Sequence, residues 1–371
     1  MKVLFPLHLF YPSKIGGPAN TVYWLCKALV SNGHEVTVVA TKMGIDVGVV
    51  KLDEWVKIDG INTIYCNTDS KFSFSAIYHS IKRLNDTDVI VFSSICLVQN
   101  FIIAFIAKIK KKRIIWSPRG ELFESAVQGN KLKQLFFRIV KITLERYVLF
   151  HATSEAERKT ISHYFPKSKI AIIPNYMELP KRQMVKSEYL ELLYVGRIAP
   201  IKALDKLIDG LALSHKFMNS HYTFKFVGGV QQQFEYYYQE LLRQVEHKGL
   251  HNKISFVGSL VGEEKYKAFA SARFLFLVSH SENFGNVVIE SLSQGTPVVA
   301  SMGTPWSTLP QEHAGYWIEN TPEMIAGIIN TIISQTKEEY NVYREGALNF
   351  SKSFDIYEHV GKWETIMQNG I

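Results

Sequence analysis

The chain has 371 residues, more than one ordinary core holds and suited to two domains of roughly 100–200 residues each. Hydrophobic residues make up 47% and charged residues 20%, which excludes a disordered polymer, and three cysteines (Cys26, Cys66, Cys96) are too few for a disulfide scaffold. The net charge of +8 is lopsided: residues 1–180 carry 24 Lys and Arg against 14 Asp and Glu, so the basic character belongs to the first half.

The opening Met1-Lys2-Val3-Leu4-Phe5 is too short for a secretory segment and is followed by Pro6 and His8. The longest apolar stretch, Ile95–Ala107, is broken by Gln99 and Asn100, short of the roughly 18 residues a membrane span requires. A reducing cytosol is the expected setting.

Apolar runs then alternate with helical patterns along the chain. Strands are predicted at Lys2–Leu7, Val36–Thr41, Val89–Ser93, Arg113–Trp116, Tyr147–Ala152 and Lys169–Ile173, nearly free of polar residues, as in strands covered by helices on both faces. A helix over Pro18–Asn32 follows the first. The polar stretch 180–188 reads as a linker. Further strands are predicted at Leu190–Val195, Tyr222–Val227, Lys253–Val257, Phe274–Val278 and Pro297–Ser301, and from about Pro322 onward the pattern is three helices. Alternation of this kind predicts parallel α/β layers in two doubly wound domains, with ligand at the strands' carboxyl ends.

The sharpest constellation is Ser279-His280-Ser281-Glu282-Asn283-Phe284-Gly285-Asn286-Val287-Val288-Ile289-Glu290. It follows a buried strand and opens a helix. Gly285 permits a tight turn, and the amides of Asn286 and Val287 suit phosphate oxygens. Glu290 lies four residues after Asn286 on the same face, where a carboxylate suits ribose hydroxyls; Glu282 suits a sugar hydroxyl. An N-cap region with acidic residues favouring the helix dipole reads the same residues without a ligand. A second segment, Gly196-Arg197-Ile198-Ala199-Pro200-Ile201-Lys202, sets two cations before a helix start, where they oppose the dipole unless an anion binds. Solvated surface cations are the alternative there.

The Glu282–Glu290 spacing, with Phe284-Gly285-Asn286 inside it, resembles the glutamate–seven-residues–glutamate motif of the retaining glycosyltransferases of family 4. The Arg197…Lys202 segment is similar to that family's Gly-Arg…Lys-Gly-Leu, with Ala203 where the family usually has Gly. Ile15-Gly16-Gly17-Pro18 resembles its N-terminal double-glycine loop, and Gly228 its strand-end glycine. Trp116-Ser117-Pro118-Arg119-Gly120 resembles some bacterial surface-polysaccharide members, with Arg119 where many others carry a functional His. Ile173-Pro174-Asn175 is similar to its turn before the linker.

The resemblance implies an α/β chain of the GT-B fold, with two doubly wound Rossmann-like domains facing a deep interdomain cleft. Residues 1–178 would form the acceptor-binding domain, with a last helix of about 356–371 crossing back to it. Residues 179–355 would bind the nucleotide sugar. The implied activity is retaining transfer of a sugar from a UDP- or GDP-linked donor to an acceptor hydroxyl, in lipopolysaccharide, O-antigen, capsule or related glycan synthesis. Catalytic roles are implied for Glu282, Arg197, Lys202 and Arg119. Donor contacts are implied for Gly16, Gly17, Gly228, Phe284, Gly285, Asn286, Val287 and Glu290. No cofactor or metal is expected, the two cations and the helix start taking its place. The partners implied are the nucleotide sugar and a glycan or lipid-linked acceptor; nucleic acid is not expected.

The basic, amphipathic segment Lys131–Arg146, with the charges of Lys108–Arg113 upstream, adds an expected peripheral attachment to an anionic membrane surface. A core-packed helix with a solvated charged face fits the same pattern. Two other readings stay open at this point: a nucleotide-sugar 2-epimerase on a related fold, and a non-catalytic basic protein at membrane or nucleic acid.

Overall fold

Strands with no polar side face need cover on both sides, and that requirement organises the chain. The computed structural model describes residues 1–13, 15, 17–127, 130–185 and 188–369. It divides into a first unit, Met1–Glu178 with Asp355–Ile371, and a second, Leu179–Phe354.

The first unit holds β1 (Lys2–Pro6), β2 (Glu35–Thr41), β3 (Trp55–Ile58), β4 (Ile61–Cys66), β5 (Val89–Ser93), β6 (Arg113–Ser117), β7 (Val148–Ala152) and β8 (Lys169–Ile172). They form one sheet in the order β3-β4-β2-β1-β5-β6-β7-β8, parallel except for the antiparallel pair β3–β4. β5 and β7 are buried along their whole length. Phe92, Trp116, Phe150 and Phe165 fill the core, with the Phe150 and Phe165 rings stacked at 4.7 Å. Each such ring contributes roughly 1.5–3 kcal/mol through burial. The last helix, Ile356–Asn369, belongs to this unit: Glu364 accepts from His34 at 2.7 Å, and Trp363 packs against the His151 ring at 4.5 Å.

The second unit holds β9 (Glu191–Val195), β10 (Thr223–Val227), β11 (Ile254–Phe256), β12 (Phe274–Leu277), β13 (Val298–Ser301) and β14 (Gly315–Ile318). Its sheet is wholly parallel, ordered β11-β10-β9-β12-β13-β14. The strand order reverses between β9 and β12, and a doubly wound sheet opens its ligand crevice outside the carboxyl ends at that reversal. Tyr194, Phe224, Phe226 and Phe276 form the core. Its last two helices are capped by side chains: Thr321 begins Pro322–Ser334, and Thr336 with Glu339 forms a capping box on Lys337–Lys352.

Three strands depart from the sequence prediction. β3 and β4 form a hairpin across Asp59-Gly60, both with positive φ (48° and 82°), and β14 adds an edge to the second sheet. The helix Lys131–Leu144 also departs from it. Phe137, Val140 and Leu144 face the core, whereas Leu132, Leu135, Ile139 and Ile142 are exposed, so the apolar residues are divided between two sides. Among the described residues no helix is long and apolar enough to cross a membrane.

Candidate functional site

The β9–β12 reversal gathers three loops of the second unit. After β9 and β10 the backbones remain paired, Gly196 N–H donating to Val227 at 2.9 Å and Ile198 N–H to Gly229 at 3.1 Å. The approach is so close that a methyl on Gly228 would lie 1.7 Å from the Gly196 carbonyl oxygen. Arg197 sits on this loop, exposed, its guanidinium without a hydrogen bond or ion pair to another described residue. The chain then makes a 3-10 turn, Pro200–Lys202, and Ala203 takes the left-handed conformation (φ 52°, ψ 42°) before the helix Leu204–Leu213. A glycine would hold that conformation with less strain, which gives the family's usual residue at this position its physical reason.

The loop after β12 meets this turn. His280 N–H donates to the Ile201 carbonyl at 2.9 Å, and Glu282 N–H to Gly303 at 3.0 Å. Lys202 Nζ pairs with Glu282 Oε2, and Ser279 Oγ donates to the same oxygen at 3.4 Å. Both partners of the ion pair are largely enclosed, at 13% and 18% exposure. Gly285 turns the chain with φ +83°, where a methyl would press on Leu277 at 2.9 Å and Glu282 at 3.2 Å. Phe284 is buried with its ring centroid 5.0 Å from that of Trp306, whose indole N–H donates to the Phe284 carbonyl. Asn286 then leads into the helix Val287–Ser293, without a side-chain cap bond.

Glu290 is buried on this helix, and both its oxygens accept from Lys265 Nζ, at 2.8 and 2.6 Å. Lys265 lies on the helix Gly262–Ser271, and sequence reasoning did not single it out. Burial, and then the Glu290 charge, push the neighbouring Tyr266 hydroxyl up to about 12. The structure thus brings Arg197, Lys202, Glu282, Gly228 and Phe284–Val287 onto adjoining loops, and gives Glu290 a cation of its own.

In the first unit Arg119 follows β6 with φ 59° and donates to Asn175 Oδ1 at 2.9 Å. Its Nε is buried with no hydrogen-bond partner among the described residues, and burial pulls the guanidinium down to about 10, with the Glu157 charge opposing, so it stays cationic at neutral pH. Glu157 itself accepts from the amides of Gly120 (2.7 Å) and Thr153 (2.8 Å). Beneath lies His151, driven down to about 3 by burial and by the Arg119 charge. Neutral, it donates Nε2–H to the Ile173 carbonyl at 2.8 Å, leaving Nδ1 to accept from Ser117 Oγ at 2.8 Å. These partners hold the backbone around Arg119; none was legible as such in the sequence. Gly17 begins the helix Gly17–Ser31, and Gly16 lies outside the described residues.

An Asp-x-Asp triplet that the motif reading passed over, Asp86-Thr87-Asp88, has a spacing able to hold a divalent cation. It precedes β5, at the amino end of the sheet, where Asp88 accepts from the Lys2 amide at 2.7 Å. Among the described residues no group of three or more His, Cys, Asp and Glu side chains is placed to hold a metal ion.

The chain matches two family models: Glycosyltransferase Family 4 over residues 15–179 and Glycosyl transferases group 1 over residues 178–349. An uncharacterized glycosyltransferase of Methanocaldococcus jannaschii is 27% identical over 50% of this chain and 45% of its own. A GDP-mannose:cellobiosyl-diphosphopolyprenol alpha-mannosyltransferase of Xanthomonas campestris is 20% identical over 98% of this chain and 95% of its own. The fold is that of Anabaena HepE in complex with UDP-glucose, with a TM-score of 0.74, 19% identity, and 98% and 99% of the two chains covered.

Proposed function

The chain belongs to the glycosyltransferases these two family models describe, and from that premise we propose that it transfers a sugar from a UDP- or GDP-sugar to an acceptor hydroxyl with retained configuration. The observation that carries this reading is the Lys202–Glu282 ion pair beside Arg197 at the strand-order reversal of the second unit. A diphosphate brings more negative charge than one carboxylate and takes Lys202 from Glu282, with Arg197 as the second clamp. Glu282, released, accepts hydrogen bonds from the sugar. The bond between the anomeric carbon and the diphosphate oxygen breaks, and the acceptor oxygen bonds that carbon on the same face. The acceptor proton leaves with the diphosphate. The cations lower the barrier by holding charge that grows on the departing group, the term that is usually largest.

Phe284, Gly285, Asn286 and Val287 shape the donor pocket in this reading, with Gly228 leaving room for the nucleotide. Glu290 takes the ribose hydroxyls by giving up part of its contact with Lys265. Gly17 and Arg119 of the first unit keep, in this reading, the roles the resemblance implies, donor contact and catalysis. No metal is required, since fixed cations already neutralise the diphosphate. Thermal shift in EDTA tests the assignment: UDP or GDP at about 100 times its dissociation constant should stabilise the protein by about 2.7 kcal/mol. Failure of both nucleotides would overturn the donor site; a rise appearing only with magnesium would overturn metal independence.

We also propose that the acceptor is lipid-linked and that the first unit rests on an anionic membrane. Leu132, Leu135, Ile139 and Ile142 line the exposed side of one helix, accompanied by Lys131, Arg138 and Lys141. The helix Val98–Ile109 packs beside it through Phe101 and Phe136 (5.8 Å) and exposes Phe105 and Ile109. The Xanthomonas relative's name specifies a diphosphopolyprenol acceptor, which supports the same setting. Each charge near such a surface contributes about 1 kcal/mol. The protein should co-sediment with phosphatidylglycerol vesicles and not with phosphatidylcholine alone, and Leu132→Ser with Ile142→Ser should release it. Equal sedimentation of that double variant would refute the surface.

A further inference from the structure

A cavity of about 680 Å³ opens on the second unit, and none of the residues that line it belongs to the Lys202–Glu282 loops. Arg273, directly before β12, donates to the Ile332 carbonyl at 3.2 Å, so the last turn of the helix Pro322–Ser334 and the cavity it lines lie toward the amino end of the sheet, away from the carboxyl-end crevice. One wall is aromatic. Tyr316 and Tyr343 lie with ring centroids 5.1 Å apart and planes inclined by 31°, and Tyr316 is backed by Phe274 at 5.9 Å. The other wall is a fringe of amides. Gln335 Nε2 donates to the Tyr316 hydroxyl at 3.0 Å, and its Oε1 is buried with no hydrogen-bond partner among the described residues. Asn330 Oδ1 accepts from Ser214 Oγ at 2.8 Å and from Lys216 N–H at 3.1 Å, so its amide nitrogen remains available among the described residues. Lys216 and Glu339 at the rim offset one another.

We propose that this cavity is a second carbohydrate site, one that binds a neutral oligosaccharide away from the transfer centre. Its volume falls within the usual range for small-ligand sites. The Tyr343 face suits the C–H side of a pyranose ring, and the paired rings are already rigid, so little side-chain freedom is lost on binding. A sugar hydroxyl supplies the donor that Gln335 Oε1 lacks, and another accepts from Asn330. The balanced rim favours neither an anion nor a cation. Nothing in this assignment depends on the donor chemistry proposed above. Its place in the reaction is to hold a glycan chain on the same protein that extends or receives it, raising the local concentration of chain ends.

Saturation-transfer NMR on the full chain, with cellobiose and with α-mannobiose as probes, tests the site. Ring protons of at least one disaccharide should receive saturation, and glycerol should not. Thr331→Trp should fill the cavity without removing a hydrogen bond to another element, since among the described residues Thr331 Oγ1 bonds only the Gly327 carbonyl of its own helix. It should abolish the signal, as should Tyr343→Ala. An unchanged melting temperature shows that each variant is folded. Glu282→Ala should keep the signal. The assignment is overturned if neither disaccharide is saturated, if Thr331→Trp retains the signal, or if Glu282→Ala loses it.

Discussion

Lys202→Ala is expected to lower kcat/KM for sugar transfer by about 10²–10³, the usual consequence of removing one fixed group that holds charge on a departing oxygen. The loss should fall on both constants, because in the proposed mechanism Lys202 meets the diphosphate when the donor binds and meets more charge as the bond breaks. The variant should also lose the nucleotide-induced rise in melting temperature. Deleting the Lys202 ammonium leaves the enclosed Glu282 carboxylate without its counterion in the resting protein, so the folded baseline is measured alongside. Lys202→Met, which keeps the aliphatic stem, serves that purpose. Wild-type kcat/KM in either variant would remove Lys202 from the mechanism.

Gly228→Ala should cost both stability and activity. The added methyl would stand 1.7 Å from the Gly196 carbonyl oxygen, a clash of backbone with side chain that no rotamer relieves. The ends of β9 and β10 must separate, straining the Gly196–Val227 bond and carrying Arg197 with them. Overpacking of this kind destabilises by about 1–3 kcal/mol. Gly229→Ala is the internal control, since its methyl would meet only the rotatable Ser259 Oγ, at 2.9 Å. Denaturant midpoints and transfer rates of the two should rank Gly228→Ala well below Gly229→Ala; equal behaviour would mean the strand ends yield freely.

The buried parallel strands were readable because burial on both faces leaves an unbroken apolar run, as in β5 and β12. The β3–β4 hairpin was missed although Asp59-Gly60 is the sequence signal that a two-residue turn of this kind demands. Asn62 and Thr63 interrupt β4, so it presents no unbroken apolar run. β14 has four residues, too few to establish a period. The helix Lys131–Leu144 carries apolar residues on two sides, and periodicity cannot say which side the protein covers. At the site, residue types and spacing located the loops, since Gly285 and Glu282 lie within one short segment. Lys265 stood beyond that reach: it comes from another helix, 25 positions before the Glu290 it neutralises. The same holds for Glu157 and His151, whose relation to Arg119 exists only once β6 and β7 are side by side.

Lys202 already carries a counterion that is part of the polypeptide. A small anion such as chloride or bicarbonate must displace Glu282 before it can bind, and it offers no more charge in exchange than the carboxylate gives up. At the proposed donor site, competition by abundant cellular ions would thereby be suppressed before any donor arrives, and discrimination would begin in the resting protein and not only in the contacts made to a bound nucleotide.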